Sequence, residues 1–376
     1  MRKYQVCNNC VMDTTDPNIK FDERGVCDLC NDYNNTIKPT LDYVRLKKEL
    51  TGIVEKVKKD GKNHDFDCLL GISGGIDSSY MLHLAVKEFG LRPLVFHVDG
   101  GWNSEIAVNN IQRMIDQLGL DLYTEVINWE EMKAFELAFF KAGVPYLDLP
   151  QDHAFVATLY NFADKYKIKY ILNGGNYSSE FMSYPLKYYY YGTDLRFIHD
   201  IRKQFCDNKM ETYPFSSVFR HKVYLKYIRG INVLRPLNYM PYNVEDAKKV
   251  LSEEYGWKPY PQKHFESRFT KFFESYWLYE RFGYDVRRVQ FSSLILSGQK
   301  TRSEAIEQLK HKPYNEETIK DDFKYISTKL GITVEQLQEY FNLPKKYYWD
   351  YKNQMDFIDF GRKVARKLGV YRAQVR

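Results

Sequence analysis

Cysteine is scarce in this chain: six in 376 residues, four of them within the first 30. A disulfide-stapled secreted scaffold spreads its cysteines through the sequence. The cluster excludes that class and points to thiolates holding a metal in a reducing compartment. Long apolar runs are missing too, none approaching the ~18 residues that span a bilayer. Met1-Arg2-Lys3-Tyr4 leads straight into the cysteines without an apolar leader, so the expected location is cytoplasmic and no membrane association is expected. There is no strong charge of one sign: 55 Lys and Arg against 49 Asp and Glu leave +6, too mild to mark a nucleic-acid binder. Internal repeats and low-complexity linkers are absent. What is present is a 44% apolar composition, which excludes disorder, and aromatics at 16%, including 32 Tyr and 24 Phe. The length suits two domains, or one large domain with an appendage.

The cysteines fall as Cys7-x-x-Cys10 and Cys27-x-x-Cys30. Each pair fits a tight knuckle turn that aims two thiolates at one tetrahedral ion, and a closed four-sulfur cage is the habit of structural Zn²⁺. A redox pair or an iron–sulfur site has the same spacing; structural zinc is the favoured reading. Turn residues at 13–18 and 23–25 place a short hairpin between the pairs. Next, 40–62 reads as a charged amphipathic linking helix.

From 66 onwards the pattern alternates. Strands are expected at 66–72, 93–98, 122–127 and 169–172, with helices at 77–89, 104–118, 130–142 and 153–166. Such alternation argues an α/β fold: a doubly wound parallel sheet covered on both faces. Beyond about residue 190 the strand signal fades. Capping-box spacing at Thr301…Glu304 and Thr333…Gln336, with helical stretches at 266–282 and 353–368, makes the last third helical. The expected organisation is a cysteine knuckle over 1–38, a linking helix over 39–62, an α/β domain over 63–240 and a helical region over 241–376.

The segment Ser73-Gly74-Gly75-Ile76-Asp77-Ser78-Ser79 is the most informative. A strand delivers the chain into two glycines and a helix starts at once. Glycine lets backbone N–H groups approach anionic oxygens, and the helix N-terminus adds dipole and unpaired donors. Ser73, Ser78 and Ser79 offer hydroxyls to the same anion. Asp77 reads either as a helix cap or as a positioner of Mg²⁺. Neither the Walker A nor the dinucleotide fingerprint is present.

Ser-Gly-Gly-x-Asp-Ser after the first strand resembles the pyrophosphate loop (PP-loop) of the ATP pyrophosphatases, which includes asparagine, NAD and GMP synthetases and tRNA thiolases. The resemblance implies ATP cleavage between the α and β phosphates, Mg²⁺ on those phosphates, and binding by Ser73, Gly74, Gly75, Asp77, Ser78 and Ser79. Asn173-Gly174-Gly175-Asn176…Glu180 looks like the later glycine loop of the NAD synthetase branch. Three further segments resemble the N-acetyl sugar amidotransferases of bacterial surface-polysaccharide biosynthesis, as in O-antigen or pseudaminic and legionaminic acid pathways. These are the opening cysteine segment through Cys27, Lys263-His264-Phe265-Glu266-Ser267-Arg268, and Tyr284-Asp285-Val286-Arg287-Arg288 through Ser293.

That resemblance implies adenylation of the N-acetyl carbonyl of a nucleotide-linked sugar, release of AMP and pyrophosphate, and replacement of the oxygen by ammonia to give an acetamidino group. Ser73, Asp77, Lys263 and Arg287 are the expected catalytic residues. Arg268 and Arg288 are further candidate phosphate-facing cations. Asp99, ending the second strand, reads as a nucleotide contact at the sheet's carboxyl edge or as a plain turn aspartate. A glutaminase needs a thiol nucleophile with a base. Cys68 lies in an expected buried strand and Cys206 follows a basic helix without a nucleophile motif, so the resemblance implies a separate glutaminase partner like that of histidine biosynthesis, with a cyclase-like companion. Phe181, Tyr184 and Tyr188 to Tyr191 offer faces for a base and a sugar, although core packing accounts for them too. The eight histidines form no spaced metal motif. Lys352, Arg362, Lys363, Arg366, Lys367, Arg372 and Arg376 make the C-terminal end a basic patch for an acidic partner or an anionic substrate. The rival readings are a zinc-ribbon tRNA thiolase and a non-enzymatic zinc-ribbon binding module; the latter leaves the loop unexplained.

Overall fold

The computed structural model describes residues 3–367. Its centre is a five-stranded parallel sheet in the order β3-β2-β1-β4-β5. The strands are β1 (Cys68–Gly71), β2 (Pro93–Asp99), β3 (Leu122–Val126), β4 (Tyr170–Leu172) and β5 (Asn232–Leu234). Side chains alternate across it, as strand geometry requires. Cys68, Leu70, Val95, Tyr170 and Leu172 bury into one apolar cluster with Met81, Leu82, Ile111 and Leu251. Leu69, Phe96 and Ile171 bury into another with Ala163, Leu225 and Ile231. Two covered faces explain why these strands read as near-continuous apolar runs.

The first four strands lie where the alternation places them. β5 was not legible: it is a three-residue edge strand with two exposed positions, paired in parallel with β4 through Ile171↔Val233. Expected helices appear as Tyr43–Gly61, Ile76–His83 (continuing as a π turn over Leu84–Glu88), Glu105–Leu118, Trp129–Ala142 and Leu149–Lys165. The two capping boxes form reciprocally, Thr301 with Glu304 and Thr333 with Gln336. Each satisfies two helix-start donors that would otherwise be unpaired.

The cysteine segment holds isolated antiparallel bridges, Val6↔Asp13 and Phe21↔Cys27, rather than a hairpin ladder. Its cysteines belong to the same apolar cluster as Phe269, Trp277 and Val289 of the helical region, so the two ends of the chain share one core. Arg302 clamps them, donating to the Cys7 and Cys10 carbonyls at 2.9–3.1 Å. The last described helix is Met355–Lys367; the basic residues Arg372 and Arg376 lie outside the described residues. Among the described residues no helix is long and apolar enough to cross a membrane.

The chain winds from β1 through β2 to β3 on one side and returns to β4 on the other. The order therefore reverses between β1 and β4, where open α/β sheets leave a crevice beyond the carboxyl ends of the strands. Both glycine-rich loops emerge there.

Candidate active site

The first loop leaves β1 at Ile72 and enters the helix Ile76–His83 at an N-cap, Gly75, that has no capping side chain. Asp77 is therefore inside the first turn, which corrects the cap reading. Gly74 has φ +80°, and a Cβ there would stand 2.8 Å from the Ala107 carbonyl. Only glycine fits that conformation and approach. Trp257 Nε1 and Tyr260 Oη hold the Gly74 carbonyl at 3.1 and 3.0 Å, turning it away from the loop mouth. Ser73 is exposed, and its hydroxyl lies 3.2 Å from that of Ser78 and accepts from the Gly75 amide at 3.3 Å. These hydroxyls with uncapped first-turn amides fit an anionic oxygen donor set such as a phosphate. Ser79 differs: its hydroxyl is buried and unpaired among the described residues, pointing away from the exposed side of the loop.

The second loop closes on the first. A Cβ on Gly174 would meet the Asp77 carbonyl at 2.5 Å, so the two backbones touch there. Asn176 Nδ2 donates to Asp77 Oδ1 at 3.1 Å, and Tyr242 Oη donates to the same oxygen at 2.6 Å. Lys263 arrives from the helical region and donates to Asp77 Oδ2 at 3.0 Å and Glu180 Oε1 at 2.7 Å. Three distant segments thus meet at one ammonium group. Burial alone would push the Lys263 pKa down, but Asp77 and Glu180 outweigh it and raise it, so the cation is permanent at neutral pH. Burial opposes ionisation of Glu180, and the Lys263 charge reverses this, leaving its pKa below the usual carboxylate value.

Beside Lys263, a cavity of about 330 Å³ opens between Glu180, Tyr184, Tyr189, Tyr191, His264 and Gln290. The Tyr segment splits by parity. Tyr189 and Tyr191 face the cavity, whereas Tyr188 stacks on Tyr284 at 4.1 Å and Tyr190 on Tyr348 at 4.3 Å in the core. Phe181 is likewise buried, against Tyr33. His264 adopts a left-handed φ of +67° and sets its Nδ1 3.1 Å from the buried Glu274, which also accepts from Tyr189 Oη at 2.8 Å. Burial disfavours the imidazolium, but Glu274 outweighs it and holds the His264 pKa at about 9. Glu266 reaches over the first loop, with Oε1 3.4 Å from Ser73 Oγ, and burial raises its pKa. His264, Glu266, Glu274 and Tyr242 were not singled out from sequence. Two of them, His264 and Glu266, follow Lys263 in one short motif, which was the available signal.

The remaining candidates lie elsewhere. Arg287 is buried and bonded to Asp285 at 2.6–3.2 Å and to the Gln308 and His311 carbonyls, so it locks the helical region and does not converge on phosphate. Arg288 pairs with Asp13 at 3.0 Å and with the Val11 carbonyl, bracing the cysteine segment. Arg268 lies over the Tyr325 ring at 3.4 Å from its centroid, with Asp322 3.8 Å away. Asp99 Oδ1 accepts from the Gly101 amide and Asn103 Nδ2, the bonds of a turn aspartate. Gly175 places its amide on Asn173 Oδ1 within the second loop. Cys68 is fully buried in β1, where burial pushes its thiol pKa up.

At the other end, Cys7, Cys10, Cys27 and Cys30 are fully buried, with all four sulfurs within 4.8 Å of one another. Amides of Asn9, Cys10 and Cys27 point at Cys7 Sγ, and that of Met12 at Cys10 Sγ, at 3.2–3.5 Å. This donor set fits a metal ion, and among the described residues it is the one such cluster.

Comparison with known proteins finds two family matches. Residues 45–211 match the NAD synthase family, and residues 266–365 match "LPS biosynthesis protein WbpG-like, C-terminal domain". No curated protein matches the chain. Similar solved structures include an NMN synthetase from Francisella tularensis (15% identity, TM-score 0.31, covering 60% of this chain and 100% of that one). An NH3-dependent NAD synthetase from Campylobacter jejuni subsp. jejuni, in complex with nitrate, has 16% identity and TM-score 0.31, covering 72% and 98%. The U34-tRNA thiolase NcsA from Methanococcus maripaludis, with its 4Fe–4S cluster, has 13% identity and TM-score 0.32, covering 83% and 90%. An NAD-synthase-type PP-loop domain, of a superfamily of ATP-using ligases and synthetases, is thus joined to a WbpG-like C-terminal domain, and the two matches together support a WbpG-like PP-loop protein of lipopolysaccharide biosynthesis.

Proposed function

We propose that this chain is the synthetase subunit of an N-acetyl sugar amidotransferase acting on a nucleotide-linked sugar. The observation that carries the reading is Lys263, which joins the phosphate-type loop through Asp77 to the tyrosine-lined cavity through Glu180. An amide carbonyl is a poor electrophile. Its oxygen attacks the α-phosphorus of ATP and pyrophosphate departs; ammonia then adds to the imidate carbon, and AMP leaves with the original oxygen. The product is an amidine. Ser73, Ser78 and the first-turn amides hold the departing pyrophosphate, and the Lys263 ammonium orients Asp77 and Glu180. Asp77, Glu180 and Glu266 are the carboxylates that would hold Mg²⁺, which neutralises phosphate charge when bound. His264, kept protonated by Glu274, donates a hydrogen bond into the acceptor cavity.

For the cysteine cage we propose Zn²⁺. Sulfurs 3.9 Å (Cys7 to Cys30) and 3.7 Å (Cys10 to Cys27) apart support it. A tetrahedron with Zn–S of about 2.3 Å has edges of about 3.8 Å, whereas a four-iron cluster spreads its thiolates further. Ammonia comes, on this reading, from a separate glutaminase subunit with a cyclase-like companion. Buried Cys68 and half-buried Cys206 offer no thiol paired with a base. The same lack of an accessible thiol disfavours a tRNA thiolase. A cytoplasmic location accords with ATP use and four reduced thiols. The test is incubation with ATP, ammonium and N-acetylated nucleotide sugars: AMP, pyrophosphate and an acetamidino sugar are expected, and stoichiometric ADP would overturn the mechanism.

A further inference from the structure

Among the residues lining the cavity beside Lys263, two are cations and one is a carboxylate. Neither cation is free. Lys263 is held by Asp77 and Glu180 at 3.0 and 2.7 Å, and the protonated His264 by Glu274 at 3.1 Å. Two cations thus stand among three carboxylates. An anionic guest would meet a net negative wall, and would have to break an existing ion pair to gain a partner. At the rim, Arg362 lies over the Tyr191 ring at 4.9 Å and has Asp359 at 3.5 Å on its own helix. No cation of the lining is left over for a phosphate.

The neutral groups are less occupied. Tyr184 Oη accepts only a long bond, 3.5 Å, from Gln290 Nε2, and its own proton has no acceptor among the described residues. The Gln290 carboxamide oxygen has no donor among them either. Both residues line the cavity, so an uncharged donor and an uncharged acceptor stand ready for a guest. The rings add a further constraint. Tyr184 and Tyr189 stack on each other at 4.2 Å, which leaves no slot between them for a planar base, and Arg362 covers one face of Tyr191. Met182, Leu186 and Val289 supply an apolar wall. An uncharged, hydroxyl-bearing ring with an N-acyl methyl group matches all of these together. At about 330 Å³ the cavity is also at the small end of ligand clefts, which run from about 300 to 1,000 Å³.

We propose that the cavity admits only the N-acylated sugar ring of the acceptor, recognised by Tyr184 and Gln290, while the nucleotide diphosphate stays outside. The inference rests on the reading of the cavity as the acceptor site and narrows what that site recognises. Calorimetry is run with Mg²⁺ and α,β-methylene-ATP occupying the first loop. The ligands are the methyl glycosides of N-acetylglucosamine and N-acetylgalactosamine, their UDP-linked forms, and UDP alone. A methyl glycoside is expected to bind within about tenfold of its UDP-linked form, and UDP is expected not to displace it. Tyr184→Phe and Gln290→Leu, each checked for native α,β-methylene-ATP affinity, should weaken glycoside binding about three- to tenfold, the loss of one neutral hydrogen bond. UDP that displaces the glycoside overturns the proposal, as does a glycoside that fails to bind while its UDP-linked form binds. Glycoside binding that both variants leave unchanged overturns it too, and so does binding by none of the ligands. The wild-type comparison of glycoside with UDP decides the matter even where a variant does not fold. Failure of the amidotransferase reading looks different: glycosides bind as expected, yet no N-acetylated acceptor yields AMP.

Discussion

Replacing Lys263 with Met keeps the side-chain stem and removes the charge between Asp77 and Glu180. In the native protein this ammonium is 3.0 Å from one carboxylate and 2.7 Å from the other, with its own side chain 19% exposed and that of Asp77 15%. Removing one partner from a fully buried pair costs about 3–5 kcal/mol. Residual exposure here, 37% for the Glu180 side chain, lowers the expected loss to about 2–3 kcal/mol. With a urea m-value of about 2–3 kcal/mol/M, the midpoint moves down by about 1 M. The pH dependence identifies the cause. In the wild type the Glu180 pKa is depressed, so its contribution is present above the usual glutamate range and lost as pH falls through the folded value. In Lys263→Met, burial is opposed only by the His264 charge and the backbone bond with Asn176, so the pKa is expected to move up, and the variant is penalised at neutral pH and recovers as Glu180 takes a proton. The gap between the two proteins should be widest near neutrality and shrink towards about pH 4, and adding Glu180→Gln should close part of it. Urea melts followed by tryptophan fluorescence across pH read this directly. A Lys263→Met protein as stable as wild type at neutral pH, or one with the same deficit at every pH, refutes the bridging role.

Other expectations follow from the same geometry. Arg287→Met strands buried Asp285 and should cost about 3–5 kcal/mol in urea melts while leaving ATP affinity of the folded protein unchanged; a selective loss of ATP binding would return Arg287 to the phosphates. Cys7→Ser should lower bound zinc, measured by elemental analysis, and stability together; full metal content with native stability would contradict a structural cage. His264, held at about pKa 9, contributes stability that is complete below its ordinary value of about 6.5 and fades as pH rises through 9. The full shift corresponds to about 3 kcal/mol, reduced by solvent screening because 31% of the side chain is exposed. His264→Gln should flatten the alkaline limb of the stability profile, and an unchanged limb would show that the Glu274 pair does not hold the proton.

The sheet was legible because strands buried on two faces carry uninterrupted apolar runs, and the loop because the whole Ser-Gly-Gly-x-Asp-Ser run stands between a strand and a helix, where two glycines alone would also suit plain packing. β5 escaped notice because three residues at an edge, two of them exposed, carry no periodicity. The Thr301 and Thr333 caps were readable since their bonds are local; the roles of the arginines were not. Arg287 and Arg288 stand side by side in a motif, yet one locks onto Asp285 and the other onto Asp13, more than 270 residues away in sequence. Spacing reveals a cation but not the carboxylate that will claim it. Lys263 reaches Asp77 of the first loop, a contact that spacing alone does not announce, and His264 gains its charge from Glu274, ten residues on, through a backbone turn that sequence does not announce either.

The most direct test follows one oxygen atom. An acceptor sugar nucleotide labelled with heavy oxygen in its N-acetyl carbonyl is turned over with ATP and ammonium, and the AMP is analysed by mass spectrometry. Direct adenylation of the carbonyl puts the label in the AMP phosphate and removes it from the sugar. Unlabelled AMP, or formation of ADP, would contradict the account.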